Sequence, residues 1–160
     1  MPVTTRIEEV RNEITALGQA APTAKALMQG VCQLLHERML KYNWVGFYML
    51  EPGAQPPVLV LEAFVGAMTP HTRIPLNQGI CGAAASTGKT IVVDDVSKDP
   101  RYLACSLETK AEIVVPIFVK KQVAGELDID SHFAAAFGID DQRLVQYCAE
   151  VVGRKLEKSQ

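Results

Sequence analysis

The stretch A111-EIVVPIFVKKQVAGELDID-S131 decides the fold expected for this chain of 160 residues. Its two halves are rich in β-branched and apolar residues, and the lysine pair at positions 120–121 separates them. Two such runs on either side of a short polar break predict a β-hairpin. The strand-like spacing of apolar residues in this hairpin is the reference with which we compare the spacing in the rest of the chain.

Two aspartates lie close together in the second strand of this hairpin. Side chains two positions apart on a strand point the same way, so Asp128 and Asp130 are expected on one face. Leu127 and Ile129 then face the opposite side, where we expect helices. Like charges on one strand face are unfavourable unless a cation, such as an α-ammonium group, lies between them. A solvated strand end is the alternative, but Glu112 on the neighbouring strand favours a pocket.

The spacing of apolar residues changes from helical to alternating and back along the chain. Helical spacing predicts two helices within about residues 4–41, with Pro22 in the first turn of the second. It also predicts a C-terminal helix over about residues 140–157, capped by Asp140. Between them, about residues 43–131 contain β-rich runs and turns, which predict a sheet with its loops.

Helices at both ends and strands between them predict an α+β fold. We expect a central antiparallel sheet with the N- and C-terminal helices on one face. The segments 67–77 and 97–110 are left to cover the other face. Because no linker, repeat or low-complexity stretch interrupts the chain, residues 1–160 are expected to form a single domain.

The composition limits the classes of function. The sequence is 48% apolar and 21% charged with a net charge of −2, which is typical of a globular protein. Nucleic-acid binding is disfavoured because no basic stripe is present. No apolar run approaches the roughly 18 residues of a membrane span. The N-terminal residues MPVTTRIEEV are not typical of a signal peptide, and four cysteines without a CxxC pair predict a cytoplasmic protein.

The cysteines differ in their sequence surroundings. Cys32 and Cys148 lie on apolar helix faces and are expected in the core. Cys81 stands in GICG, where a turn leads into a short helix. A helix N-terminus favours the thiolate, so Cys81 is a candidate reactive thiol. Packing as a small apolar side chain is the alternative.

Several motifs, in order and spacing, resemble one enzyme family. They are NWVGFYML, RIPLNQGICG, LAC, AEIVVP and GELDIDS. Together they resemble the free methionine-(R)-sulfoxide reductases, which have the GAF fold. The resemblance covers most of the chain from about residue 43 onward.

The resemblance implies a pocket between the sheet and its covering loops. In it, Trp44 and Tyr48 would form an aromatic wall for the methyl-sulfur end of methionine sulfoxide. Three carboxylates would hold the amino group and polarise the sulfoxide: Glu112, Asp128 and Asp130. The family reaction needs no metal or flavin, and a zinc site from Cys81, Cys105 and His71 lacks the spacing of metal ligands.

Two of the three motif cysteines of that family are present, Cys81 and Cys105. His71 stands where the family has the third. Sulfoxide reduction requires a thiolate that becomes a sulfenic acid and a second thiol that condenses with it. The resemblance favours Cys105 as nucleophile, and Arg101 nearby would stabilise its thiolate, but the sequence does not fix the order. His71 is expected to tune the nucleophile.

The sequence therefore predicts reduction of free L-methionine-(R)-S-oxide, with a thioredoxin-type dithiol as reductant. The resemblance also implies a homodimer formed through the terminal helices. A non-catalytic GAF domain that binds a small amino-acid-like ligand, as a sensor or a vestigial enzyme, remains the alternative. The absence of an output domain in the sequence disfavours a sensor, whereas His71 in place of a cysteine favours the alternative.

Overall fold

A six-stranded antiparallel sheet forms the centre of this protein in a computed structural model that describes residues 3–103 and 106–159. The strand order is β3-β2-β1-β6-β5-β4. The strands are β1 Trp44–Leu50, β2 Val58–Val65, β3 Arg73–Pro75, β4 Ile91–Val93, β5 Ala111–Val119 and β6 Gln122–Ser131. The hairpin predicted from residues 111–131 is confirmed as β5 and β6, which lie next to β1 in the middle of the sheet.

Four α-helices and one short 3-10 turn complete the part of the chain that the structure describes. The helices are α1 Val3–Ala20, α2 Ala24–Arg38, α3 Gly79–Thr87 and α4 Ile139–Lys158, and the 3-10 turn is Val96–Lys98. Apolar side chains at helical spacing explain the terminal helices, since α4 buries one stripe of residues: Leu144, Val145, Cys148 and Val152. No helix in the described ranges is long and apolar enough to cross a membrane.

The predicted ends of two helices were wrong by a few residues. Helix α2 begins at Ala24 with Thr23 as its N-cap, so Pro22 precedes the helix. Helix α4 has Gly138 as its N-cap, and the Gly138 N–H donates to Asp141 Oδ2 at 3.1 Å. Asp140 therefore lies inside the first turn. Asp141, at the third position of the helix, supplies the side-chain part of the cap that was expected from Asp140.

The two faces of the sheet carry different layers. The α1, α2 and α4 helices bury one face in the main core, where Leu127 and Ile129 are fully buried. The core placement predicted for Cys32 and Cys148 is confirmed. The other face packs against α3 and the covering segments, where Tyr48, Ile74 and Cys81 belong to a second apolar cluster. The predicted α+β fold with the terminal helices on one face of the sheet is confirmed. On the other face, α3 lies beside the covering segments.

The turn between β5 and β6 places Lys120 and Lys121 at φ 52° and 68°. Left-handed backbone at both positions is the geometry of a two-residue hairpin turn that prefers Asn-Gly. We expect Lys120→Asn with Lys121→Gly to raise the free energy of unfolding by about 1 kcal/mol, because this conformation is strained for lysine. Urea unfolding measures the change.

The matched control for this prediction is Gln122→Gly at the start of β6. A glycine there removes a strand side chain without relieving strain, so it is expected to lower stability. Equal changes in both variants would contradict the assignment of strain to the turn.

Candidate active site

The register of three central strands gathers acidic and aromatic side chains on one face of the sheet. Glu112 on β5 lies opposite Asp130 on β6, and Asp130 lies opposite Trp44 on β1. Asp128, two residues before Asp130 on β6, lies opposite Gly46. Because all of these positions share one parity, their side chains point toward α3 and away from the helical core.

The carboxyl groups on this face are buried. Glu112, Asp128 and Asp130 are only 5%, 4% and 2% exposed. A solvated strand end is therefore wrong for both aspartates. Glu126, which lies opposite Tyr48, is fully buried on the same face and was missed from the sequence. The signal was available, because Glu126 has the same parity as the two aspartates in GELDIDS.

Helix α3 presents Cys81 to this acidic face. The two glycines of GICG make this possible: Gly79 has φ +72°, and a Cβ on Gly82 would lie 2.8 Å from the Leu76 carbonyl oxygen. The helix start is therefore packed directly against the preceding segment. Cys81 is 5% exposed, and its Sγ donates to Asp128 Oδ2 at 3.3 Å.

Burial and neighbouring charge make Cys81 a protonated thiol. Desolvation raises its pKa well above the usual value, and the nearby carboxyl groups of Asp128, Glu126 and Glu112 raise the pKa further. These shifts oppose the expectation that the helix N-terminus makes Cys81 a reactive thiolate. The helix dipole is weaker than the combined cost of desolvation and three acidic neighbours.

The carboxyl groups also favour their protonated forms. Desolvation raises the pKa of Glu126 well above its ordinary value, and the charge of Asp128 raises the pKa further. Burial likewise raises the pKa of Asp128, although hydrogen bonds with Glu112 and Cys81 oppose the shift. The raised pKa values of Glu126 and Asp128 favour the protonated carboxyl groups, which suits this part of the site to supply a proton to a bound oxygen atom.

Two aromatic residues of β1 connect the sheet to the covering segment 67–77. Trp44 Nε1 donates to the Ala67 carbonyl at 3.0 Å, and Tyr48 Oη donates to the His71 carbonyl at 2.6 Å. The Trp44 ring lies over Gly46, where a Cβ would approach the ring to 2.3 Å. The pair thus forms an apolar wall beside the carboxyl groups.

A small cavity of about 20 Å³ lies between the sheet and both covering segments. It has room for roughly one water molecule. Its lining consists of Tyr48, His71, Ile74, Gly79, Ile80, Cys81, Leu103, Glu112 and Asp128. A cavity therefore lies under the described parts of segments 67–77 and 97–110, but it is far smaller than an amino acid, and Trp44 and Asp130 lie on the same face outside its lining. Larger surface clefts lie elsewhere, including one between α4 and β5.

The predicted nucleophile Cys105 lies outside the described residues. Its neighbour Arg101 is described, and its guanidinium forms a two-pronged ion pair with Asp99, with Nη2 2.7 Å from Oδ2. This pairing opposes the expectation that Arg101 offers its charge to a thiolate. His71 contributes to the cavity lining, as expected for a residue of the covering segment.

One set of side chains in the described ranges has the arrangement of metal ligands. Cys81, Glu112 and Asp128 offer one sulfur and two oxygen ligand atoms that lie within 4.8 Å of one another. This set differs from the Cys81–Cys105–His71 combination considered from the sequence.

Comparisons with known proteins agree on one family. The GAF domain profile matches residues 23–156. A free methionine-R-sulfoxide reductase from Escherichia coli (strain K12) is 33% identical over 135 residues, which are 84% of this chain and 79% of that protein. The structure of the Neisseria meningitidis free methionine-R-sulfoxide reductase in complex with its substrate has a TM-score of 0.91 at 32% identity, covering 99% of this chain and 93% of that one. A type II free methionine-R-sulfoxide reductase from Thermoplasma acidophilum has a TM-score of 0.78 at 39% identity, covering 89% and 96%.

Replacing Glu126 with Gln is expected to stabilise the protein more at pH 8 than at pH 5. The pKa of Glu126 in the fold is raised above its ordinary value of 4.5 by burial and by Asp128, while Cys81 faces it from α3. At pH values between the ordinary pKa of Glu126 and its raised pKa in the fold, the folded state binds more protons than the unfolded chain. The free energy of unfolding therefore falls as the pH rises. Glutamine does not ionise and removes this loss.

Differential scanning calorimetry in a chelator-containing buffer measures the Tm difference at each pH. Glu62→Gln is the matched control, because Glu62 is exposed on β2 and its Tm difference should not change with pH. If the Tm difference between Glu126→Gln and the wild type stays constant from pH 5 to pH 8, folding does not raise the pKa of Glu126.

Proposed function

Because the chain belongs to the GAF domain family and, within it, to the free methionine-R-sulfoxide reductases, we propose that it reduces free L-methionine-(R)-S-oxide to methionine. The observation that carries the proposal is the buried face on which a thiol and several carboxyl groups meet beside an aromatic wall. An amino acid with a polar sulfoxide matches this combination of charge, apolar surface and thiol.

The carboxyl groups are assigned to the polar ends of the substrate. Glu112 and Asp130 lie opposite each other, and a substrate α-ammonium group between them would relieve their repulsion. Asp128 holds the proton that passes to the sulfoxide oxygen. Trp44 and Tyr48 contact the methyl-sulfur end, because their rings form the apolar wall of this face.

The reaction proceeds on the two motif cysteines. The Cys105 thiolate attacks the sulfoxide sulfur, and the oxygen takes up a proton and is transferred to Cys105, which becomes a sulfenic acid while methionine leaves. The Cys81 thiol then condenses with the sulfenic acid to form a disulfide and water. A thioredoxin-type dithiol reduces the disulfide, restores both thiols and is itself oxidised.

The surroundings of Cys81 support its assignment to the second step. A buried thiol whose pKa is raised by carboxyl groups is a poor first nucleophile, because the thiolate is the attacking form. His71, which lines the same cavity, is proposed to exchange a proton with the nucleophile.

The cavity must widen before a substrate enters. At about 20 Å³ it holds far less than an amino acid, so the covering segments have to move outward. The hydrogen bonds from Trp44 and Tyr48 fix one of these segments at Ala67 and His71. We therefore propose that entry occurs from the side of segment 97–110. A homodimer remains a prediction of the family resemblance, and a cytoplasmic location remains a prediction of the cysteine pattern.

We expect methionine to be released from free methionine-(R)-sulfoxide and from neither the S epimer nor a peptide-bound sulfoxide. The peptide form lacks the α-ammonium group that the carboxylates bind, and the S epimer directs its oxygen away from them. Amino-acid analysis with dithiothreitol and with thioredoxin measures the product.

If none of the three sulfoxides yields methionine with a stoichiometric amount of protein, the proposal that the protein is an enzyme is contradicted. A non-catalytic binding domain would then remain, and quenching of Trp44 fluorescence by methionine sulfoxide would identify it, because Trp44 is the only tryptophan in the chain.

We expect Cys105→Ser to abolish methionine formation and Cys81→Ser to permit a single turnover. In the second variant the sulfenic acid persists and is trapped by dimedone, which mass spectrometry detects on Cys105. Cys148→Ala is the matched control, because Cys148 is buried on the opposite side of the sheet and should not affect cycling. Stoichiometric methionine from Cys105→Ser would instead identify Cys81 as the nucleophile.

A further inference from the structure

Three elements bring ligand atoms of different chemistry to one point. Cys81 on α3, Glu112 on β5 and Asp128 on β6 are all buried, and their sulfur and oxygen atoms lie within 4.8 Å of one another. Zn²⁺ binds sulfur at about 2.3 Å and carboxylate oxygen at about 2.0 to 2.2 Å. Shifts of about an ångström in these side chains would therefore bring all three ligands onto one ion.

A second observation points independently to a cation. Glu126 is fully buried, and neither of its carboxyl oxygens has a hydrogen-bond partner among the described residues. Asp128 Oδ1 is likewise buried without such a partner in that part of the chain. Glu126 lies close enough to Cys81 to raise the pKa of its thiol. Buried polar atoms without partners are rare, and here they belong to one proposed ligand, Asp128, and to Glu126 beside Cys81.

The size of the cavity agrees with an ion. The three ligand residues line the same space of about 20 Å³, which is the volume needed by one water molecule or one metal ion with little else. An amino acid requires the covering segments to move, whereas an ion requires no such opening.

We propose that the reduced protein binds one thiophilic divalent cation, with Zn²⁺ as the best match, through Cys81, Glu112 and Asp128. The thiol loses its proton to the buffer when the metal–sulfur bond forms. A thiolate together with two carboxylates favours Zn²⁺ over Mg²⁺ and Ca²⁺, which prefer oxygen alone.

This site goes beyond the proposed reaction and does not depend on it. If the proposed function is correct, the metal occupies the carboxylates assigned to substrate and therefore inhibits the enzyme. The sulfur ligand distinguishes the two occupants, because a bound ammonium group needs the carboxylates but not Cys81. Metal binding is measured without any turnover, so failure of either proposal leaves the other intact.

The experiment titrates reduced protein, held in tris(2-carboxyethyl)phosphine without oxygen, with Zn²⁺ against a chromophoric chelator. One equivalent is expected to bind. Cys81→Ser and Asp128→Asn should each weaken binding by more than about 100-fold, since even the loss of an outer partner costs about 10- to 100-fold. Asp130→Asn is the matched control on the same face of β6 and should retain binding.

Co²⁺ provides a direct signature of the sulfur ligand. The wild-type protein and Asp130→Asn should show a thiolate-to-cobalt charge-transfer band, and Cys81→Ser should lack it. If Cys81→Ser does not fold by circular dichroism, loss of Zn²⁺ binding in both Glu112→Gln and Asp128→Asn decides the question. The proposal is overturned if no equivalent binds, or if binding survives Cys81→Ser and is lost in Cys105→Ser.

Discussion

Burial of carboxyl groups between the central strands and α3 is the constraint on which the rest of this structure depends. Water is excluded from Glu126 and Asp128, so their charged forms are costly unless a cation or a proton compensates them. The same cost extends to the Cys81 thiol, whose pKa rises with its surroundings. Protonation of the carboxyl groups removes this cost and stabilises the fold. Binding of a positively charged group to their charged forms would also compensate it.

The fold and the direction of the acidic side chains followed from simple periodicity. The alternation in residues 111–131 predicted a hairpin and one shared face for Asp128 and Asp130, because strand geometry leaves little freedom. Glu126 obeyed the same rule, but a glutamate within a strand usually faces solvent. Its burial depends on Tyr48 and Pro116 on the neighbouring strands, which are far away in sequence.

The chemistry of Cys81 could not be deduced in this way. The sequence places it correctly at a helix start, where local physics favours a thiolate. Burial is the largest cause of its raised pKa, and the carboxyl groups of Asp128, Glu126 and Glu112, which lie more than thirty residues further along the chain, raise the pKa further. Local signals thus identified the residue, whereas the sign of its pKa shift required knowledge of tertiary contacts. The N-cap of α4 shows the same limit on a smaller scale, since Gly138 replaced the expected Asp140.

The hydrogen bonds that hold the covering segment have an evolutionary consequence. Trp44 and Tyr48 donate to the carbonyl oxygens of Ala67 and His71, which every amino acid possesses. These two hydrogen bonds are therefore available whichever side chain stands at residue 71. Natural variation at this position can exchange one functional group for another over the same cavity. The backbone can present an imidazole, a thiol or a hydroxyl group there without losing these hydrogen bonds.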